Sequence, residues 1–355
     1  MKKLVCVVVV CVFVFVLQVL GNHPIGVFVN YDTNSIQFIN PRTLEMAGPF
    51  LKLQIGKNGG RLLGVCINSD GKAAFVTKTN EKKVLFVDIS GGFTGNPKLL
   101  GSVALGFIPK AMDCTPNGKY VLVTDGAADS TVSAIDIGKM QPYRIQHLGK
   151  EARAIKVTPD GQYVVTVGYD QRMINLYSLS DQVKLSFKEG YYLKYQASNV
   201  AISPDGKTVI VLFKDRYIFA IFALENGKLI DKGTKDLPSK GGECCVFSKN
   251  GKKTFVLTNS VSMGVGIQTF NVMGPGDVEY SETIRLTIPG VPISNNHVEA
   301  LGIDTDGRYL YITSPNLSGE GKKITVFDVR TGLEIKHVNL NTDGIPSGIA
   351  FGVMD

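Results

Sequence analysis

Four charged residues occupy the same position in successive copies of an internal repeat, and they are the side chains best placed to do chemistry. Two are basic and two are acidic, and each lies eight residues before a repeated glycine: Lys110, Arg153, Glu243 and Glu299. If these positions meet at one mouth of a channel, they form a pocket with a basic side and an acidic side. Such a pocket suits a small polar or zwitterionic ligand. The structural alternative is a ring of hydrated charges that neutralise one another.

The repeated glycine belongs to a short hinge between two apolar strands. In residues 199–213, NVAISPDGKTVIVLF, apolar residues alternate on both sides of a Pro-Asp-Gly hinge, as they do in β-strands. Glycine adopts a positive φ at little cost and Asp can bond its own backbone, so this pattern predicts a hairpin. Proline ends the first strand because it has no N–H to donate.

Copies of this hinge run through the chain and predict its architecture. Their glycines lie 43 to 56 residues apart, at Gly71, Gly118, Gly161, Gly206, Gly251 and Gly307. A period of about 45 residues with four strands per unit is typical of a propeller blade. Six internal units and one unit shared by the two chain ends predict an all-β fold. It is a seven-bladed β-propeller of four-stranded antiparallel blades, closed by N- and C-terminal strands that share one blade. The fourth strand of the third internal unit is placed at residues 183–187.

The N-terminus has the pattern of a secretory leader. Met-Lys-Lys precedes residues 4–20, which carry no charge. We predict a signal peptide over residues 1–21 and a single propeller domain over residues 22–355, with the split blade drawn from residues 22–60 and 344–355. The apolar run is at the lower limit for spanning a bilayer, so an uncleaved anchor is the alternative. The expected location is secreted, periplasmic or cell surface, without a stable membrane span after cleavage.

The charge balance is mildly basic and argues against nucleic acid as a partner. The formal net charge is +7, of which Lys2 and Lys3 in the leader account for two. The other Lys and Arg residues are mixed with acids and form no basic run or groove. A hydrophobic content of 44% and a charged content of 19% suit a well-packed globular protein. We expect a monomer.

The cysteines give no sign of a metal or redox centre. After the leader four remain, all on predicted innermost strands: Cys66, Cys114, Cys244 and Cys245. None forms a C-x-x-C motif, and buried apolar packing is the simplest role for them. Cys66 and Cys114 are expected to face the same interface between consecutive blades, where an exported protein can form a disulfide. No metal, phosphate-loop or other cofactor motif occurs, so neither metal nor cofactor is predicted.

The loops between second and third strands are expected to open on the same face as the charged positions, where binding residues usually lie. Their candidate binding residues are Asn30, Tyr31, Asp32, Tyr169, Asp170, Lys214, Asp215 and Arg216. Asn316 begins an Asn-Leu-Ser sequon, which is glycosylated only in a eukaryotic secretory pathway.

The clearest copy of the repeat is residues 109–136, with PKAMDCTPNGKYVLVT followed by TVSAID. This pattern resembles the YVTN/lactonase-like seven-bladed β-propeller superfamily, and the resemblance covers residues 25–355. For the lactonases of this fold it implies His, Arg and acidic side chains at the channel mouth and an early His-Pro signature. His23-Pro24 matches that signature only in part, and the remaining histidines are scattered at His147, His297 and His337.

We therefore predict an exported binding or interaction module that lacks a clear catalytic motif. Its ligand is expected to be a protein, a glycan or a small polar molecule. The enzyme alternative is a lactonase-like hydrolase that opens a sugar-acid lactone with Arg153 and Glu243 or Glu299. The third alternative is a structural protein of a cell surface or matrix.

Overall fold

The computed structural model describes residues 23–354, apart from 31–34, 47–50, 53–61, 92–96, 128, 214–215, 261–263, 286–299, 305, 315–322 and 340–345. Within these residues all regular secondary structure is β-strand, except for a 3-10 turn at Thr79–Glu81. None of the helical structure in this part of the chain is long and apolar enough to cross a membrane.

The innermost strands of seven blades form a closed ring. Each one packs against the innermost strand of the blade before it and of the blade after it. In chain order they are Leu62–Ile67, Ala111–Cys114, Ala154–Val157, Ala197–Ile202, the last part of Lys228–Phe247, Ala300–Ile303 and Pro346–Met354. We number the internal blades 1 to 6 in this order and call the last the split blade.

Three further strands complete each blade in antiparallel order from the ring outward. The second strands are Ala73–Lys78, Tyr120–Thr124, Tyr163–Gly168, Thr208–Phe213, Lys253–Ser260, Tyr309–Ser314 and His23–Asn30. The third strands are Lys83–Asp88, Thr131–Asp136, Met173–Leu179, Arg216–Glu225, Gly264–Gly274, Lys323–Asp328 and Ser35–Asn40. The outer strands are Lys98–Ala104, Gln141–His147, Leu185–Tyr192, the first part of Lys228–Phe247, Asp277–Arg285, Glu334–Asn339 and the short pair Glu45–Met46 and Leu51–Lys52. The predicted seven-bladed propeller is confirmed.

The hinges between first and second strands have the predicted chemistry. All six hinge glycines have φ between 67° and 75°, a region that favours glycine. In blade 4 the Asp205 carboxylate accepts hydrogen bonds from the Lys207 N–H at 3.0 Å and from the Ser203 hydroxyl at 2.5 Å. A Cβ on Gly206 would lie 3.5 Å from Pro159 of the preceding hinge. Neighbouring hinges therefore pack against one another on one face of the propeller.

The two chain ends share a blade, as predicted. His23–Asn30 pairs antiparallel with Pro346–Met354 on one side and with Ser35–Asn40 on the other. The ring of Phe351 lies over Gly26 and Gly302, where an added Cβ would come within 2.6 Å and 2.9 Å of it. The same ring packs against Tyr311 of blade 6 at a centroid distance of 4.6 Å. Phe351 thus joins the split blade to its neighbour.

Two details differ from the expectation. The outer strand of blade 3 is Leu185–Tyr192, because Val183 lies in a turn with a φ of 56°. Blades 4 and 5 form one seven-stranded sheet, since the single strand Lys228–Phe247 is both the outer strand of one and the innermost strand of the other. The pairing register of Lys228–Phe247 shifts along the strand as it passes from blade 4 to blade 5.

Candidate ligand-binding site at the strand-start face

One face of the propeller carries the starts of the innermost strands and the loops between second and third strands; we call it the strand-start face. Antiparallel order within a blade requires this arrangement. The structure shows it directly at Gly126, which follows the second strand of blade 2. A Cβ on Gly126 would lie 2.9 Å from Lys110 Cγ and 3.8 Å from Arg153 Cα. Lys110 and Arg153 therefore lie side by side at one site.

Lys110 and Arg153 are each held by an equivalent backbone hydrogen bond in their own blades. The Lys110 N–H donates to the Thr124 carbonyl at 2.7 Å, and the Arg153 N–H donates to the Val167 carbonyl at 2.7 Å. Each bond ties the start of an innermost strand to the end of the second strand of its own blade. The two side chains thus lie on neighbouring blades at equivalent positions of the repeat.

Lys110 and Arg153 form a cationic pair. Neither side chain makes an ion pair with a carboxylate within the described residues. Partial burial and the neighbouring Arg153 guanidinium lower the pKa of the Lys110 ammonium. Both effects penalise positive charge at this position, and a bound anion would relieve the repulsion.

Tyr169 adds an aromatic surface to this pair. The Arg153 guanidinium carbon lies 5.6 Å from the centroid of the Tyr169 ring, within the range of a cation–π contact. Tyr169 is half-buried and Asp170 beside it is exposed. The structure therefore gathers Lys110, Arg153, Tyr169 and the backbone of Asp170 at one place.

A buried acid that the sequence did not indicate supports the Tyr169 loop. Glu151 is 3% exposed, and one carboxylate oxygen accepts hydrogen bonds from the Asp170 N–H at 2.7 Å and the Gln171 N–H at 3.0 Å. The Gln171 side-chain carbonyl accepts from the Glu151 N–H at 2.9 Å in return. An acid between two strands is usually hydrated, and no local pattern marks this one as buried.

Nearby acids are engaged in turns. The Asp125 carboxylate accepts from the Ala127 N–H at 3.0 Å and the Thr131 N–H at 3.2 Å. The Asp129 carboxylate accepts from the Gly149 N–H at 2.9 Å. These carboxylates hold loop backbone and form no ion pair with Lys110 or Arg153.

A second group of cationic and aromatic residues lies on the same face of blade 4. The Arg216 guanidinium carbon is 4.7 Å from the centroid of Tyr195, and Lys194 Nζ is 5.4 Å from it. The Tyr195 ring also packs edge-on against Phe213, with the two ring centroids 5.7 Å apart. Arg216, a predicted loop residue, is therefore part of a basic and aromatic surface.

The acidic side of the predicted pocket lies outside the described residues, as do several loop candidates. This applies to Glu299 and to the side chain of Glu243. The same holds for Tyr31, Asp32, Lys214 and Asp215, for the side chain of Asn30, and for Asn316.

His147 and His337 are on outer strands, and His23 begins the second strand of the split blade. His147 Nδ1 lies 3.1 Å from the Thr131 hydroxyl, and His337 Nδ1 lies 3.2 Å from the Thr325 hydroxyl. Both contacts join an outer strand to the third strand of the same blade. Across the described ranges, no cluster of three or more His, Cys, Asp or Glu side chains is arranged to hold a metal ion.

Comparison with solved structures gives the propeller fold at low sequence identity. A Pseudomonas aeruginosa periplasmic gluconolactonase matches with a TM-score of 0.72 and 15% identity, over 94% of this chain and 100% of the other. A candidate 6-phosphogluconolactonase from Bacteroides uniformis matches with a TM-score of 0.73 and 15% identity, over 93% and 99%. A functionally unknown protein from Desulfotomaculum acetoxidans matches with a TM-score of 0.76 and 16% identity, over 92% and 98%. No family model and no curated protein matches the sequence.

Proposed function

We propose that this chain, which shares the fold of the lactonase-like seven-bladed propellers, binds a small anionic ligand at its strand-start face. Lys110 and Arg153 would hold the anionic group. One observation carries the proposal: two cations from neighbouring blades lie at one site without a carboxylate partner among the described residues. Like charges held together cost free energy that an anion between them would recover.

Tyr169 favours a ligand that has a flat or apolar part beside its anionic group. The ring lies next to the Arg153 guanidinium on a loop that Glu151 holds in place. Aromatic rings combine an apolar surface with a polar tip, and binding sites use both. Sugar acids and sugar phosphates have a ring or chain of carbons beside a carboxylate or phosphate, so we propose this class.

Titration calorimetry with purified protein tests the proposal. Gluconate and 6-phosphogluconate are expected to bind, whereas glucose, which carries no charge, is not. Arg153→Gln and Lys110→Gln should each weaken binding of the anions by about ten- to a hundredfold, since a charge-assisted hydrogen bond contributes roughly 1.5–3 kcal/mol. Lys119→Gln is the matched control, because Lys119 is exposed at the hinge on the opposite face. Equal affinity in all three variants, or no binding of either anion, would refute the proposal.

The second candidate function is hydrolysis of a sugar-acid lactone, and the structural neighbours favour it. A gluconolactonase and a candidate 6-phosphogluconolactonase have the same fold over nearly the whole chain. In this reaction water adds to the lactone carbonyl and the ring ester bond breaks to give the free acid. Arg153 would hold the developing negative charge, and Glu243 or Glu299 would take the proton from water.

Proton release from gluconolactone, measured above the spontaneous rate, tests this candidate. Loss of the activity in Arg153→Ala, with retention in Lys119→Gln, would support it. A rate equal to the protein-free blank would exclude gluconolactone hydrolysis and leave the binding function in place.

We also propose that the protein is exported to a periplasmic or extracellular location. The charged start and apolar run of residues 1–20 support this, and one of the structural neighbours is periplasmic. Cell fractionation with N-terminal sequencing of the recovered protein tests it. A protein that starts near residue 22 outside the cytoplasm is expected, and an intact N-terminus in the cytoplasm would contradict the proposal.

A further inference from the structure

We propose that Cys66 and Cys114 form a disulfide that joins the innermost strands of blades 1 and 2. The two Sγ atoms lie 2.7 Å apart, although 48 positions separate the residues in sequence. This is a direct contact between two blades that belong to separate sheets.

The strands bring the two sulfurs to within 2.7 Å of each other. Cys66 lies opposite Phe75 within blade 1, and Cys114 lies opposite Val121 within blade 2. The two side chains share one apolar cluster between the blades with Phe75 and Val121. A disulfide requires two side chains that face each other at close range, and the packed interface between these two strands brings the Sγ atoms into contact.

The surroundings indicate when the bond would form. Burial, together with the neighbouring Cys66 thiol, raises the pKa of the Cys114 thiol well above its ordinary value. A thiol that stays protonated is a poor nucleophile, so oxidation is slow once the blades have packed. The bond would therefore form during folding, before the interface closes.

Formation of the bond needs an oxidant, which we take to be the disulfide of a thiol–disulfide oxidoreductase. One cysteine thiolate attacks that disulfide to give a mixed disulfide, and the second cysteine displaces the catalyst. The two thiols lose two protons and two electrons, and the catalyst is reduced to its dithiol. Such catalysts work in oxidising compartments outside the cytoplasm, and the leader pattern would direct the chain to such a compartment.

The remaining pair of cysteines provides an internal comparison. Cys244 and Cys245 are adjacent on one strand, so their side chains point to opposite faces of the sheet. Cys245 packs in the cluster between blades 4 and 5, and Cys244 packs in the cluster between blades 5 and 6. Burial raises the pKa of the Cys245 thiol to about 12. These two cysteines are expected to stay reduced in the same protein.

Thiol counting on the exported protein tests the proposal, with any peptide that carries Cys6 or Cys11 scored separately from the other four cysteines. The protein is expressed with its leader into an oxidising compartment, purified, unfolded in denaturant and alkylated with iodoacetamide before and after reduction. Alkylation of Cys244 and Cys245 alone is expected before reduction, with Cys66 and Cys114 reacting only after it. Protease digestion without reduction should yield one linked pair of peptides that contain Cys66 and Cys114. Reaction of all four cysteines before reduction, or a linked pair that includes Cys244 or Cys245, would overturn the proposal.

Variants separate the cross-link from folding. Cys66→Ser should make Cys114 reactive before reduction, and Cys245→Ser should leave the Cys66–Cys114 link intact. A reductant should lower the melting temperature of the wild type and of Cys245→Ser but not that of the double variant Cys66→Ser/Cys114→Ser. If Cys66→Ser fails to fold, the peptide map of the wild type still decides the question. Equal melting temperatures with and without reductant in the wild type, together with no linked peptide, would count against the bond.

Discussion

Glu151 and Gln171 exchange hydrogen bonds in both directions across the base of the Tyr169 loop. The Gln171 side-chain carbonyl accepts from the Glu151 N–H at 2.9 Å, and the Glu151 carboxylate accepts from the Gln171 N–H at 3.0 Å. Glu151 also accepts from the Asp170 N–H at 2.7 Å. Because the Glu151 carboxylate is withdrawn from water, its hydrogen bonds hold the loop that carries Tyr169 beside Arg153.

Glu151→Ala should loosen this loop and weaken the cationic site. Removal of the carboxylate leaves the Asp170 and Gln171 N–H groups without their acceptor, which costs about 1–3 kcal/mol. Hydrogen exchange of these two amides should accelerate, and gluconate affinity should fall although Glu151 does not touch the ligand site. Glu151→Gln is the control, because one side-chain oxygen accepts both bonds and an amide oxygen can replace it. Unchanged exchange in Glu151→Ala would show that the loop has another support.

Binding of an anion should depend on pH through Lys110. Partial burial and Arg153 lower the pKa of free Lys110, and a bound anion would raise it again. Affinity should therefore be constant below the lowered pKa, fall as pH rises through it, and level off above the pKa of the complex.

Calorimetry with gluconate over a series of alkaline pH values measures this dependence. Lys110→Gln should bind more weakly and lose the pH dependence, whereas Lys119→Gln should keep it. A pH profile that is the same in wild type and Lys110→Gln would show that Lys110 does not titrate with binding.

Asp304→Asn should stabilise the protein at neutral pH. Burial raises the pKa of the Asp304 carboxyl above its ordinary 3.8, although its oxygen accepts from the N–H groups of Arg308 at 2.7 Å and Tyr309 at 3.1 Å. The folded state thus holds its proton more tightly than the unfolded state. The wild type loses stability as pH rises from the unfolded pKa through the raised folded pKa, and an asparagine avoids that loss.

Urea unfolding at about pH 3 and about pH 7 measures the free energy of unfolding of Asp304→Asn and of the wild type. The variant should be more stable by on the order of 1 kcal/mol at pH 7, and the two should be nearly equal at pH 3. Blade 1 supports the substitution, because Asn68 occupies the equivalent hinge position and accepts from the Ala73 N–H at 2.9 Å. Asp205→Asn serves as the control at an exposed hinge position. A loss of stability at pH 7 in Asp304→Asn would mean that the charge itself strengthens the hinge.

Phe351→Ala should weaken closure of the ring. The ring packs against Tyr311 of blade 6 and over Gly26 and Gly302, so its removal leaves a gap where the two chain ends meet. The side chain is half-buried, and we expect a loss of about 2 kcal/mol. Thermal and urea unfolding measure it, with Leu333→Ala as control because Leu333 is 65% exposed. Equal stability of the two variants would show that Phe351 does not hold the seam.

The repeated features of this fold were predictable and the unique ones were not. A hinge such as Pro204-Asp205-Gly206 encodes its own geometry through the positive φ of glycine and the bonds of Asp205, so counting hinges gives the number of blades. Lys110 and Arg153 hold equal positions in the repeat, and the structure places these two residues side by side. The burial of Glu151 has no such signal in the repeat, because it depends on amides of a loop almost twenty residues further along the chain.

The continuous strand of blades 4 and 5 was also beyond a sequence argument. Gly233 and Gly242 within it have φ values of 86° and 99°, and Pro238 lies between them. Each of these residues normally ends a strand. Here the backbone leaves one blade and enters the next at these residues, and only the tertiary packing of both blades makes that path favourable.

The shared strand Lys228–Phe247 also makes one arc of the ring unlike the rest. Blades 1, 2 and 3 are separate sheets that share no strand with a neighbouring blade, whereas the strand Lys228–Phe247 carries its ladder of backbone hydrogen bonds from blade 4 into blade 5. If the ring opens locally, we expect it to open between separate sheets, whereas blades 4 and 5 should move and unfold together. The described residues therefore form six separate hydrogen-bonded sheets, although they make up seven blades.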